Sequence, residues 1–317
     1  MGAPHDSPPL LAIVGPTGVG KTAGALALCG ELGGEIIGAD SVQVYRGFDI
    51  GSSKPTAAQL GDVRHHLIDV CAPDEAIDAM RYAGLADEAI RDARARGRVP
   101  IVVGGTGLWI RALLRGLLSV PPADPELRRE LEQRYAREGA AAMHAALRAI
   151  DPRTAEHVHP NDQLRVVRAL EVHAQTGEAL GELRHAHALG APRYDALTLY
   201  ADVPSAHHRP TLEARVDQMI AAGWADEVRT IVAAHGRQPR ALGAVGYRQM
   251  LAHVDGAASL EETRDAIVGA TAGYARRQRT WFNSDPAVSL RLTPAELLET
   301  EALARIRRHL RSVTIAV

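Results

Sequence analysis

Residues 10–22 read Leu-Leu-Ala-Ile-Val-Gly-Pro-Thr-Gly-Val-Gly-Lys-Thr, an apolar run that breaks into a glycine-rich turn ending Gly-Lys-Thr. A short, continuously apolar run suits a strand buried on both faces, which is the environment of a parallel sheet covered by helices. The turn spells G-x-x-x-x-G-K-T, the phosphate-loop (P-loop) pattern. Gly15, Gly18 and Gly20 let the backbone curl so that successive N–H groups converge on phosphate oxygens. Lys21 adds a compact charge, and the Thr22 hydroxyl is placed to ligate Mg²⁺, directly or through water. Behind the loop, residues 23–32 read as a helix whose unpaired N-terminal N–H groups favour an anion. Lys21 and Lys54 are the only lysines among 36 Lys and Arg, so one of two lysines falls in this loop, where a planar guanidinium would not easily replace it.

The 317 residues suffice for an α/β core and a second, smaller module. A net charge of −2 makes the chain neither a basic coat for nucleic acid nor an acidic tail, so any RNA binding must come from local clusters of arginine. Cys29 and Cys71 form neither a metal motif nor a disulfide framework and are expected to be buried thiols. No apolar run reaches membrane-spanning length, and Met1–Asp6 lacks the basic start and apolar core of a signal peptide, so the protein is expected in the cytoplasm.

Further strands are expected at 35–40, with Asp40 at the carboxyl end where open α/β sheets gather ligands, and at 65–70, 99–103, 194–203 and 288–292. Helices are expected at 79–96, closed by Gly97, and at 108–117. Strands alternating with helices imply right-handed crossovers and a parallel sheet. The texture changes at Ser119–Pro125. From Glu126 to His187 nearly everything reads as helix, with breaks at Gly139, Asp151-Pro152 and His159–Asp162. Helices are also expected at 215–222, 225–234 and 260–281, the last ending in the basic and aromatic run 276–282. These readings give a P-loop NTPase-like parallel core over 8–118 and 193–317, interrupted by an all-helical insertion at 119–192.

A P-loop alone says only that a polyphosphate binds. The motifs around it narrow the choice. Gly15–Thr22, Asp40–Tyr45, Gly51–Pro55, His65–Asp69, Gly104–Gly107, Asp124–Arg128, His159–Asp162, Arg168–Glu171, Arg215–Met219, Gly246–Arg248 and Arg277–Phe282 resemble, in this order, the motifs of the tRNA dimethylallyltransferases. The resemblance runs over roughly residues 10–285.

It implies that the bound polyphosphate belongs to dimethylallyl diphosphate, and that the prenyl group moves to the exocyclic amine of the adenosine 3′ of the anticodon in a tRNA stem-loop. Gly15, Thr17, Gly18, Val19, Gly20, Lys21, Thr22 and Arg215 would then hold the diphosphate, with Mg²⁺ as cofactor. Asp40 would be the general base, Thr106 a hydroxyl that steadies base or amine, and Arg215 the arginine that closes over the leaving group. Asp40 also fits a strand-end aspartate capping a turn, Thr106 an ordinary helix cap, and Asp69 either a magnesium ligand or a structural residue. The resemblance assigns tRNA contacts to Asp40, Ser41, Val42, Gln43, Thr106, Arg128, Leu164, Arg165, Arg168, Gly246, Tyr247 and Arg248. Arg165 and Arg168 lie three apart, so they are expected to share a helix face.

The chain departs from the family at Trp109, where tyrosine is usual and which is expected to alter the prenyl channel, at Thr211 for a common arginine, and at Leu164 for a frequent glutamine. A monomer suits a protein that wraps a stem-loop. The competing readings are a prenyltransferase acting on free AMP or ADP, a small-molecule kinase, and a non-catalytic nucleotide switch or RNA-binding module.

Overall fold

The computed structural model describes residues 9–118, 120–188 and 192–311. Met1–Asp6 and the expected unit boundaries at 8, 119 and 317 lie outside them. The chain divides into two compact units, Met1–Gly116 with Arg193–Val317, and Leu117–Pro192.

In the larger unit the order is β1 (Pro9–Val14), α1 (Lys21–Leu32), β2 (Gly34–Ala39), α2 (Ala57–Leu60), β3 (His65–His66), α3 (Ala79–Ala95), β4 (Val99–Gly104) and α4 (Gly107–Arg115). In the smaller unit come α5 (Pro125–Ile150), α6 (Pro152–His157), α7 (Gln163–Thr176) and α8 (Leu180–Ala188). The larger unit then resumes with β5 (Asp195–Ala201), α9 (Ser205–Ala221), α10 (Trp224–His235), α11 (Tyr247–Val254), α12 (Leu260–Asn283), β6 (Val288–Leu292) and α13 (Thr300–Arg311). No described helix is long and apolar enough to cross a membrane.

The six strands form one parallel sheet in the order β3-β2-β4-β1-β5-β6. Leu10 to Val14 are all buried, as a strand covered on both faces requires. One face packs Leu11, Ile13, Ile36, Ile101, Val103 and Leu199 against Leu28 of α1 and Ile306 of α13. α3 buries Tyr82, Ala86, Ile90 and Ala93, spaced as one helical stripe, and packs on α4. The Asp78 carboxylate accepts the Met80 and Arg81 N–H groups and so caps α3, a bond type that stabilises a helix by about 1 kcal/mol.

The register decides where chemistry can happen. Ala39 of β2 pairs with Gly104 of β4, Gly104 with Val14 of β1, and Val14 with Tyr200 of β5. The chain therefore leaves three strands at one level, at Asp40, Gly105 and Gly15, and leaves β5 one residue further on, at Asp202.

Two expectations need correction. The strand expected over 65–70 stops at His66. Leu67 and Asp69 have φ of 64° and 57°, and the Asp69 and Cys71 N–H groups bond the Gln43 and Val44 carbonyls, so the chain leaves the sheet edge to pair with the segment after Asp40. The helix expected from Arg215 begins ten residues earlier, at Ser205, and carries Pro210 inside it. Proline reads as a breaker in sequence, yet here the helix continues through it.

The smaller unit is all helical, with breaks at Asp151, between His157 and Gln163, and between Thr176 and Leu180. Gly139 interrupts α5 with φ 82° and ψ 164°. Its core packs Leu131, Met143, Leu147, Val158, Val166 and Leu170.

Candidate active site

Beyond Val14 the glycine-rich turn folds back against the end of β5. Gly15 has φ 151°, and a Cβ there would stand 2.1 Å from the Ala201 carbonyl oxygen, so only glycine fits. The turn is then gripped at Thr17 from two sides. Its N–H donates to Gln278 Oε1 at 2.9 Å, and Gln278 Nε2 donates to the Gly105 carbonyl at 2.9 Å, which ties the loops after β1 and β4 together. On the other side the Thr17 carbonyl lies 2.8 Å from His208 Nε2, while Arg279 donates to His208 Nδ1 at 3.0 Å. A guanidinium has no acceptor, so Nδ1 must be the bare nitrogen and Nε2 carries the proton. Burial first, then the nearby Arg279 charge, holds the His208 pKa below the ordinary imidazole value and keeps that neutral tautomer. Arg279 is in turn fixed by two 2.8 Å bonds to Asp202, which also accepts from Tyr200.

Lys21 donates to the Pro16 carbonyl and points into the turn. Burial is the main cause, and the Arg215 charge the second, of a pKa lowered to about 8; Asp40 and Asp202 pull it up. Neither Lys21 nor Arg215 forms an ion pair with a described carboxylate, and the Arg215 charge acts on Lys21 in the same direction as burial, so the two cations favour an added anion. Arg215 donates its Nε to Ser53 Oγ at 2.9 Å, and its two terminal nitrogens bond none of the described residues. Burial lowers its pKa too. The Thr22 hydroxyl is exposed at the head of α1, and no group of three or more metal-ligating side chains exists among the described residues.

Asp40 leaves β2 with Oδ1 accepting the Val42 N–H at 2.8 Å and the Gln43 N–H at 3.3 Å. Its Oδ2 accepts from none of the described residues, so the carboxylate both caps the turn and offers a bare oxygen. Thr106 makes no side-chain cap to α4; its hydroxyl accepts the Ser41 N–H at 3.2 Å, which leaves its proton to give.

Two adjoining cavities share Thr17, Asp40, Arg215 and Tyr274 as walls. One, of about 430 Å³, is lined by Gly18, Gly20, Lys21, Thr22, Gln43 and Ser53. The other, of about 370 Å³, is more apolar, with Val42, Leu212, Val216, Met219, Trp224 and Ile267. A cationic cradle thus opens onto a partly apolar chamber, where Ser41, Ser52, Thr271 and Arg277 join the apolar side chains and a carboxylate stands at the threshold.

The sequence model described as IPP transferase matches residues 43–285. The chain belongs to the IPP transferase family. A relative named tRNA dimethylallyltransferase, from Anaeromyxobacter dehalogenans, is 48% identical over 93% of this chain and 98% of its own. Among solved structures, the full-length tRNA isopentenylpyrophosphate transferase of Bacillus halodurans is 35% identical at TM-score 0.68, covering 96% of this chain and 97% of that one. A eukaryotic dimethylallyltransferase acting on tRNA is 25% identical at TM-score 0.74, covering 95% of this chain and 78% of its own.

Within this IPP transferase fold the other expected residues fall into different environments. Val19 is buried under the cradle. Leu164, Arg165 and Arg248 are exposed, and Ser41 and Val42 line the apolar cavity. Gln43 donates to the Ser52 and Ser53 carbonyls. Gly246 is buried, and Tyr247 is fully so, its ring beside Phe48 and Trp224, so the RNA contact expected of that side chain is not available at the surface. Arg128 and Arg168 do not project together with Arg165: each donates at 2.6 Å to Glu171, which is fully buried, whereas Arg165 faces Asp162. Trp109 stacks on Tyr82 in the α3–α4 packing and does not line either cavity. Thr211 bonds the His207 carbonyl within its own helix. Asp69 pairs with Lys54, which also holds Asp49 and the Tyr45 carbonyl, a structural use for the second lysine.

Gln278, His208, Asp202 and Tyr274 did not stand out as single residues. The resemblance covered the run containing Gln278, but the basic and aromatic run 276–282 reads as a mixture of cations and rings suited to RNA, with part of it core, and does not single out the glutamine. In fact Arg276 and Arg277 are exposed while Gln278 and Arg279 turn inward to the P-loop.

Proposed function

We propose that the chain transfers a dimethylallyl group from dimethylallyl diphosphate to the exocyclic amine of an adenosine in the anticodon loop of tRNA, releasing pyrophosphate. The relatives' names support the reaction class. The observation that carries it is the bare oxygen of Asp40 at the wall shared by a cationic cradle and a partly apolar chamber. A kinase needs the cradle and a base, but not the apolar wall of Val42, Leu212, Val216, Met219 and Ile267 behind the base.

In this reading the diphosphate lies against the N–H groups of 15–22, with Lys21, Arg215 and the hydroxyls of Thr17 and Thr22 around it. The amine nitrogen attacks the allylic carbon, a C–N bond forms, and the C–O bond to the diphosphate breaks. Charge then builds on the bridging oxygen, where the preorganised donors stabilise it more than they did the ground state. The amine's lone pair is delocalised into the ring, so removing its proton during attack helps, and Asp40 Oδ2 accepts it. Thr106 gives its hydroxyl proton to hold the base or the amine. The Thr22 hydroxyl, exposed at the head of α1, would hold Mg²⁺ directly or through water, and an ion that keeps several waters fits a site with so few protein oxygens. When bound, it neutralises charge on the departing pyrophosphate.

An adenine in a stacked loop must be everted to reach Asp40. In the larger unit the exposed Arg248, with Ser41 and Val42 at the chamber, offers a surface for the RNA, and in the smaller unit the exposed Leu164 and Arg165 offer another. Such an enzyme works as a monomer in the cytoplasm, where tRNA is.

The test is transfer of labelled dimethylallyl groups to an anticodon stem-loop, to free AMP and to no acceptor, with ATP hydrolysis measured in parallel. We expect stem-loop labelling alone, and for Asp40→Ala a loss of turnover of about 100-fold or more, as for a general base, with pyrophosphate affinity little changed. Labelling of AMP, ATP consumption without transfer, or an active Asp40→Ala enzyme would each overturn the reading.

A further inference from the structure

Glu227, in the first turn of α10, is not part of the cradle, yet both of its carboxylate oxygens are filled. Oε2 accepts the N–H groups of Asp49 and Ile50 at 2.8 and 2.5 Å; Oε1 accepts the Gly51 N–H at 3.2 Å and the Tyr247 hydroxyl at 2.6 Å. Three successive backbone N–H groups converge on one carboxylate, the arrangement by which a peptide nest holds an anion. The loop also presses directly on the same helix: a Cβ on Gly51 would stand 2.1 Å from the Trp224 indole nitrogen.

What this loop carries lies two residues further on. Ser53 has φ 49°, a left-handed conformation that is strained for a non-glycine residue and persists only where neighbours impose it. Its hydroxyl is the acceptor that orients Arg215, and its carbonyl, with that of Ser52, accepts from Gln43. The fixed carboxylate is therefore the anchor of a chain of contacts, from α10 through 49–51 to Ser53 and then to the guanidinium in the cradle. On its other side it holds Tyr247, beside the chamber wall at Gly243–Val245.

We propose that Glu227 is a positioning residue: by gripping 49–51 it holds Ser53 in its strained conformation and so aims Arg215 at the diphosphate. The inference rests on the reading above of the cradle as a diphosphate site. A loop released from Glu227 lets Ser53 relax, and Arg215, bonded elsewhere to none of the described residues, loses its direction without leaving the site.

The test compares Glu227→Ala, Glu227→Gln, Ser53→Ala and the double variant Glu227→Ala/Ser53→Ala, all in the full chain. Thermal melts, KM for dimethylallyl diphosphate, KM for stem-loop, kcat and, by calorimetry, the dissociation constant of inorganic pyrophosphate are measured for each. One lost charge-assisted bond corresponds to about tenfold, so Glu227→Ala is expected to raise donor KM and the pyrophosphate constant about tenfold while stem-loop KM moves less than threefold. Glu227→Gln, which keeps one acceptor oxygen, recovers most of that loss. Because both changes act through one contact, the double variant is no worse for donor than the poorer single variant. A folded Glu227→Ala enzyme with donor KM within about twofold of the original, or losses that multiply in the double variant, overturns the proposal. Should the alanine variant fail to fold, Glu227→Gln paired with Ser53→Ala decides by the same comparison. If the unsubstituted protein shows no prenyl transfer, the functional reading has failed, and the pyrophosphate constants still judge Glu227.

Discussion

Replacing Gln278 with leucine removes a side chain that joins the P-loop to the turn after β4 and leaves the volume nearly unchanged. Gln278 is 6% exposed and makes two bonds of 2.9 Å, so the variant leaves the Thr17 N–H and the Gly105 carbonyl without partners. Each abandoned buried group costs about 1–3 kcal/mol. Thr17 lines both cavities, where water can reach, so the lower half of the range applies to it and the total is about 3 kcal/mol. For a unit of this size that is a fall in melting temperature of about 6–12 °C. The loss should also appear in function, because a freed Thr17 lets the N–H groups of the turn diverge from the geometry that fits a phosphate. Melting is measured with and without saturating pyrophosphate; ligand that binds only the folded state raises the melting point according to its affinity. We expect the pyrophosphate-induced rise to shrink in the leucine variant as well as the baseline to fall. A variant that melts within about 2 °C of the original and keeps the full ligand-induced rise refutes the claim that Gln278 shapes the cradle.

The lowered pKa of Lys21, about 8 against an ordinary 10.5, makes pyrophosphate affinity depend on pH. Bound diphosphate favours the ammonium, so the dissociation constant should be flat with respect to Lys21 below about pH 8 and rise above it by up to tenfold per unit, a rise absent in Lys21→Met; calorimetry across that range checks it. Stability of the free protein runs the other way, because the unfolded chain holds that proton up to 10.5, so this residue adds stability as pH climbs from about 8. In the helical unit, burial pushes the Glu171 carboxyl up but bonds from Arg168 and Arg128 outweigh it and hold it below the usual range. Its stabilisation is therefore present above the ordinary glutamate value and lost as pH falls through the lower folded value. Glu171→Leu should cost about 2–4 kcal/mol at neutral pH, less than a fully enclosed pair because both arginines can turn to water, and should melt with a shallower acid dependence than the original.

Much of the frame was legible because it rests on patterns that the backbone itself demands. The apolar run 10–14 and the glycines after it can be little other than a buried strand and a phosphate turn, and the strand at 99–103 before Gly104-Gly105 repeats the logic. The helical texture of 126–187, with Gly139 and Asp151-Pro152 as breaks, was likewise readable. The strand expected to Val70 was not stopped by anything local: two left-handed residues, Leu67 and Asp69, are imposed by pairing with the segment after Asp40. Arg165 and Arg168 have the same spacing in any helix, but only the structure shows a buried Glu171 drawing one of them inward.

The least legible part is what holds the cradle still, and the reason is physical. Glycines permit the turn's shape but cannot select it, since the freedom that lets residues 15–20 curl toward phosphate also lets them uncurl. Selection must come from side chains that reach the turn from elsewhere in the chain, and here they come from α9 and α12: His208 and Gln278 on the two sides of Thr17, with Arg279 and Asp202 setting the tautomer of the first. A histidine whose proton sits on Nε2 by default of an arginine on Nδ1 leaves no periodic trace, nor does a glutamine inside a basic run. The motif states which anion is wanted, while the affinity for it is set by residues about 190 and 260 positions away. Their effect is to spend ordering entropy during folding, so that binding and bond breaking meet a cradle already in shape.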